Sequence, residues 1–341
     1  MCRVTVGMAG ALTLSASLGA YALGPMPDES GFSGFVGFGL GNTTLKSNTV
    51  AGTAMGDISN DRIYGLGSAK SESKTSGFFN GEVQYTWADS KTQVFAGNSL
   101  ENWLRYDFSS ELGVRRQYDG IGELSVSYLF SGVPTKVWKD PYKTDGKRKD
   151  TDRTSRGARV GWSNIMGSNF QVRLSTRKVE IDNEQSGEES SLALTPAQQR
   201  MLSREGDIRS AEVLYRHSLG NGHFFIPSVQ YTRYDLDGKA MAADEYIVQL
   251  SHAWGNEQWQ TVTNLVYGQN KHDKANPIAE FGGKTQEDDI YGASFSAFYS
   301  EPFGWKNWRA MGSLAAFRAS SNIDFYDTNI TSVSAGLLYH F

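Results

Sequence analysis

The feature that most constrains this chain is a hydrophobic period of two that recurs along nearly its whole length. It is clearest in the last eleven residues, Thr331 to Phe341. Thr331, Val333, Ala335, Leu337, Tyr339 and Phe341 fall on one side of an extended strand, and Ser332, Ser334, Gly336 and His340 on the other. One face is apolar and the other polar. A helix would scatter such a pattern around its circumference, so the chain is read as strands. About ten residues per segment is the length of a tilted transmembrane strand.

A half-buried sandwich strand has the same alternation, so the rest of the sequence must decide between them. Beyond residue 22 no run of about 18 apolar residues occurs, which excludes a helical membrane protein. A closed barrel remains, because it pairs every backbone group between strands and needs only every second residue to be apolar. The mean hydropathy of -0.43 is therefore compatible with a membrane. The 37 glycines, 16 tyrosines and 18 phenylalanines against 8 prolines suit many strands, tight turns and aromatic belts. A net charge of -4 gives no reason to expect a nucleic-acid partner.

Residues 1–22 combine Arg3, an apolar run from Val4 to about Leu18 and the small-x-small triplet Ala20-Tyr21-Ala22. They read as a cleaved secretory signal peptide, leaving 23–341 as the barrel. The single cysteine, Cys2, lies within that segment, so neither disulfides nor thiolate chemistry are expected in the exported part.

In chain order, Val36, Phe38 and Leu40 mark the first outer face, followed by a polar loop at 46–76. Phe79, Val83, Tyr85 and Trp87 alternate with Asn80, Glu82, Gln84 and Thr86 in the second strand. A weakly patterned third strand covers Thr92 to Asn98. The fourth sets Leu104, Tyr106, Phe108, Leu112 and Val114 outside, with Arg105, Asp107, Glu111 and Arg115 inside. The fifth sets Leu124, Val126, Tyr128 and Phe130 outside. A charged loop at 139–156 precedes the sixth, with Val160 outside and Arg159 inside; Phe170, Val172 and Leu174 then face out in the seventh, opposite Arg173 and Arg177. Thr195-Pro196-Ala197-Gln198 is a capping box with proline at the first helical position, so a short helix is expected there. Seven further strands centre on Val213, Val229, Val248, Leu265, Phe295, Leu314 and Leu337, with loops that include 271–289 and leave His272 in a mobile outer segment.

The expectation is an all-β, transmembrane, antiparallel up-and-down β-barrel of about fourteen strands, or twelve if the third is not one. Short and long connections alternate. Trp87, Trp162, Trp254, Trp259 and Trp308 gather near the short turns, as a periplasmic aromatic girdle does. Pro227 inside the ninth strand lacks a ladder donor and suggests a bulge.

The ending resembles the last strand of bacterial outer-membrane barrels, in which a terminal Phe and alternate apolar residues serve as the assembly signal. That resemblance implies the role for Leu337, Tyr339 and Phe341, with the barrel-assembly machinery as partner. The segments F-S-G-F-V from Phe32, K-R-K-D-T-D-R-T-S from Lys147, L-T-P-A-Q-Q from Leu194, Y-T-R-Y-D-L-D-G-K-A-M-A from Tyr231, P-F-G-W-K from Pro302 and S-N-I-D-F-Y-D-T from Ser321 resemble a domain-of-unknown-function family of Gram-negative outer-membrane proteins. The likeness extends over the chain after the leader and implies outer-membrane location and fold. It carries over no functional residue.

Inward parity gives strands four to eight a charged wall of Arg105, Glu111, Arg115, Arg159, Arg173, Arg177, Glu212 and Arg216. The later strands offer amides and hydroxyls such as Gln249, Ser251, Asn264, Ser294, Ser296, Ser313 and Ser334. Eight-stranded barrels are filled by side chains and those of 16 to 18 strands hold water, so about fourteen leaves some bore unless a loop plugs it. The function expected is a passive, porin-like channel for small hydrophilic solutes, biased towards anions. Its alternative is a closed or loop-plugged barrel with a structural or surface role, in which arginines and carboxylates satisfy one another.

An outer-membrane enzyme is the third class and the least supported. The five histidines assemble no catalytic site, and neither H-E-x-x-H nor a nucleophile elbow occurs. No cofactor or metal is called for. Other partners expected are outer-membrane lipid and lipopolysaccharide, whose phosphates Lys139, Lys143, Lys147, Arg148, Lys149 and Arg153 are placed to meet.

Overall fold

The computed structural model describes residues 26–53, 56–57, 61–98, 109–132, 134–188 and 190–341. Fourteen long strands succeed one another: β1 Gly31–Lys46, β2 Ser71–Trp87, β3 Thr92–Asn98, β4 Ser109–Tyr118, β5 Gly122–Ser131, β6 Asp150–Ser163 and β7 Phe170–Ile181. After them come β8 in two pieces, Gly206–Tyr215 and His217–Gly220, then β9 His223–Leu236, β10 Ala243–Gly255, β11 Trp259–Ala275, β12 Thr285–Ser300, β13 Trp308–Ser321 and β14 Thr328–His340. Each pairs antiparallel with the next, and β14 returns to β1 in a register that sets Val36 opposite Tyr339 and Leu40 opposite Ala335. The sheet is closed. Beyond the last ladder residue, Gly34 and Phe341 exchange two backbone hydrogen bonds of 3.0 and 3.1 Å, which seal the seam.

The period of two is what allows this closure. Val83, Leu112, Val126, Val160, Leu174, Val229, Val248, Leu265, Leu314 and Val333 all stand exposed on the outside. Their neighbours Gln84, Ser127, Gln171, Ser228, Ser251 and Ser334 are buried inside. The third strand is present over the residues read for it, so the count is fourteen and the alternative of twelve falls.

Connections at one end are short. The turn between β8 and β9 holds Asn221 and Gly222 at φ 50 and 77, a left-handed pair that an Asn-Gly step adopts at little cost. The other end carries the long loops, one of which contains helix α1, Pro196–Arg200, with Thr195 and Gln198 closing the capping box.

Several sequence-based boundaries need correction. β2 begins at Ser71, β6 at Asp150, and β11 continues to Ala275, so each intrudes into a stretch read as loop. These ends are polar on both faces, and alternation alone cannot show a strand that projects beyond an apolar belt. His272 accordingly lies in β11, not in a mobile loop. Pro227 pairs with Leu250 without a register shift; across from the Ile226–Pro227 step β8 is interrupted at Arg216 with its register kept, and the shift in that strand falls between Ser218 and Gly220. The leader at 1–22 with Cys2, and the inward positions Arg105 and Asp107, lie outside the described residues.

Candidate functional site

The long loops build an apolar core of their own over one end of the barrel. Ile63, Tyr142, Leu202, Ala240, Met241, Ile278, Phe281, Ile323 and Phe325 pack together, and they come from six different connections. Phe325 and Leu202 are completely buried. Polar bonds tie the loops beneath this core. The Tyr142 hydroxyl meets that of Tyr326 at 2.8 Å, and Asn276 donates to Tyr326 at 2.7 Å. Arg148 donates to the carbonyls of Asn48 and Pro141 and stacks on Trp138, while Arg204 binds Glu184 and the Trp138 carbonyl. Burial pulls the Arg148 guanidinium down to about 10 and raises both tyrosines above their ordinary range. The loops therefore form a roof.

Under the roof lies a chamber of about 430 Å³. Arg153 and Arg159 on β6 and Arg173 and Arg177 on β7 occupy one wall, joined by Arg204 from the loop above. Ile290 on β12, Ala319 on β13 and Thr328 on β14 bound it five to eight strands further round, towards the opposite side. Val50, Val137, Ile181 and Ile208 add apolar surface. Arg159 pairs with Glu111, and Arg173 with Glu212. Tyr234 donates to Glu245, and Asp288 accepts from Gln286 and Asn270.

The residues named from the sequence thus divide. Arg159, Arg173, Arg177 and Glu212 line the chamber, with Glu111 behind Arg159. Arg115 is nearer the short turns, 1 % exposed, bonded to Gln93 and paired with Glu123 at 3.2 Å. Arg216 sits at the break in β8 with its guanidinium over the Phe224 ring. Deeper in the lumen Gln249, Ser251, Asn264 and Ser294 form one hydrogen-bonded chain, and Ser296 meets Ser313. A small apolar cluster of Phe35, Phe298, Met311 and Leu338 lines the short-turn end.

Arg153 and Arg204 were not picked out as lumen residues. Arg153 fell in the segment read as a basic outer loop, and inward parity applied to β6 from Asp150 would have found it. Of the cations read in that segment, Arg148 is buried, Arg153 lines the chamber, and Lys143 and Lys147 pair with Asp145 and Asp61. On the outside, Trp87, Trp254, Trp259 and Trp308 stand at the short-turn ends of their strands with Trp162, whose indole N–H donates to the Ile121 carbonyl. Leu337, Tyr339 and Phe341 share the outer face of the seam, Tyr339 against Trp308.

No curated protein matches this sequence. Among solved structures, the outer membrane channel DcaP of Acinetobacter baumannii is similar at 12 % identity and a TM-score of 0.42, over 91 % of this chain and 98 % of that one. The anion-selective porin from Comamonas acidovorans is similar at 11 % identity and a TM-score of 0.38, over 92 % and 100 %. The CymD monoaromatic hydrocarbon channel is similar at 9 % identity and a TM-score of 0.45, over 92 % and 89 %. Residues 31–340 match the family described as Protein of unknown function (DUF2860), and this protein belongs to that family.

Proposed function

We propose that this protein spans the outer membrane of a Gram-negative bacterium and admits small hydrophilic solutes, anions preferentially, through a lumen whose outer mouth the long loops roof. The supporting observation is the chamber itself: four arginines share one wall of an internal space in a fourteen-stranded barrel, and a fifth joins them from the loop above. Such a focused positive field raises the local concentration of anions. Membrane insertion is supported by the outward belt, in which Leu40, Phe79, Leu112 and Val333 are each more than half exposed. A continuous apolar surface of that kind is costly in water. The short turns then face the periplasm and the long loops the exterior.

Reversal potentials in a planar bilayer under a potassium chloride gradient test the selectivity. The wild type is expected to favour chloride, and Arg159→Ala and Arg173→Ala to move the reversal potential towards the unselective value. A cation preference, or no change in either variant, contradicts it.

The apolar core of the loops favours a second reading, a barrel kept shut as a structural or surface element. A folded protein that stays silent under all loop-loosening substitutions would support that alternative.

A further inference from the structure

We infer that the chamber is a binding site for a small amphipathic organic anion, a carboxylate on a compact apolar body. This deepens the proposed anion passage and rests on the chamber being reached by solute. Two observations carry it.

The first is Arg153. Its side chain opens on the chamber deep inside the protein, and it forms no ion pair among the described residues. The neighbouring carboxylates have other partners: Glu111 and Glu212 bind Arg159 and Arg173, Glu184 binds Arg204, Glu245 accepts from Tyr234, and Asp288 accepts from amides and stands beside His272. A cation inside the protein with no carboxylate bonded to it is costly, and an entering carboxylate that meets the planar guanidinium with two parallel hydrogen bonds removes that cost.

The second is the alternation of that cation with branched aliphatic side chains. Ile181 is the register partner of Arg153, and Ile208 that of Arg177. Both isoleucines are buried, and both line the chamber. Ile290 and Ala319 face them from the far wall. A strongly hydrated ion such as phosphate must shed water against these surfaces without replacement, whereas an apolar body covers them. The volume suits one such molecule, since small-molecule pockets begin at about 300 Å³.

The test is calorimetric titration of the protein, folded in detergent, with benzoate, acetate, inorganic phosphate and benzyl alcohol. Benzoate is expected to bind at least about tenfold tighter than the other three, because only it supplies both halves. Arg153→Gln is expected to weaken benzoate about tenfold or more while leaving the barrel as resistant to heat as before, since an uncompensated charge has been removed. Ile290→Thr is expected to weaken benzoate and leave acetate unchanged. Phosphate or acetate binding as tightly as benzoate overturns the inference in favour of a simple anion site, and equal binding of benzyl alcohol overturns it in favour of an apolar pocket. Unchanged benzoate affinity in Arg153→Gln also overturns it. Current through the wild type without benzoate binding sinks this inference alone; benzoate binding by a protein that never conducts supports the site and sinks passage.

Discussion

The hydroxyl of Tyr142 lies 2.8 Å from that of Tyr326, and the contact joins the loop between β5 and β6 to the loop between β13 and β14, 184 residues later. Both rings belong to the apolar roof, and Asn276 holds Tyr326 from a third loop. Polar contacts among the apolar side chains thus tie together loops that share no strand pairing.

The roof should loosen in alkali. Burial raises both tyrosines above the ordinary value of 10.0, so the folded roof keeps them neutral. A group whose folded pKa is raised contributes stability that is complete below the unfolded value and is lost as pH rises towards the folded one. Limited proteolysis of the long loops is expected to be slow and flat up to about pH 10 and to accelerate above it. Tyr326→Phe removes the contact and is expected to accelerate cleavage at neutral pH. Equal rates for the two proteins at both pH values would contradict this.

Phe325 is fully buried at the centre of the roof. Phe325→Ala is expected to cost the roof about 3–5 kcal/mol, the usual price of truncating a core phenylalanine. The loss is local, because the barrel ladder does not pass through it. Loop cleavage should rise sharply while the band shift that distinguishes folded from heated barrel on a gel stays where it was. A lowered barrel transition would show that roof and wall unfold together.

Arg115 and Glu123 form a buried pair near the short turns, with Gln93 as a third member. Removing one partner leaves the other charge uncompensated, so Arg115→Met is expected to destabilise the barrel by about 3–5 kcal/mol. The double variant with Glu123→Leu should recover most of that. A double variant no more stable than Arg115→Met alone would mean that the pair does not act as a unit. Thermal unfolding in detergent measures both.

The wall of this protein was legible in its sequence and the roof was not. Leu337 and Tyr339 against Ser334, or Val83 against Gln84, announce inside and outside because a strand turns each successive side chain to the opposite face. That period also placed Arg159, Arg173, Arg177 and Glu212 on the lumen side. It failed at strand ends: Arg153 and His272 stand in β6 and β11 where the outer face is polar, so no alternation marked them. The apolar positions Phe35 and Leu338 kept inward parity yet gave no hint that they would meet. Least visible was the roof, in which Ile63, Tyr142, Leu202, Ile278 and Phe325 come from separate loops and follow no common period; only the closed barrel brings them together. The capping box at Thr195 was legible because all of its parts are local.

Single-channel recording of the wild type beside Phe325→Ala, in one planar bilayer and one salt solution, tests most directly whether a roofed lumen conducts. The expected result is brief, infrequent openings in the wild type and longer or more frequent ones of similar unit size in the variant, since the wall is unchanged and only the roof is loosened. Two folded proteins that both remain silent, or that both stay open without a difference, would contradict the account.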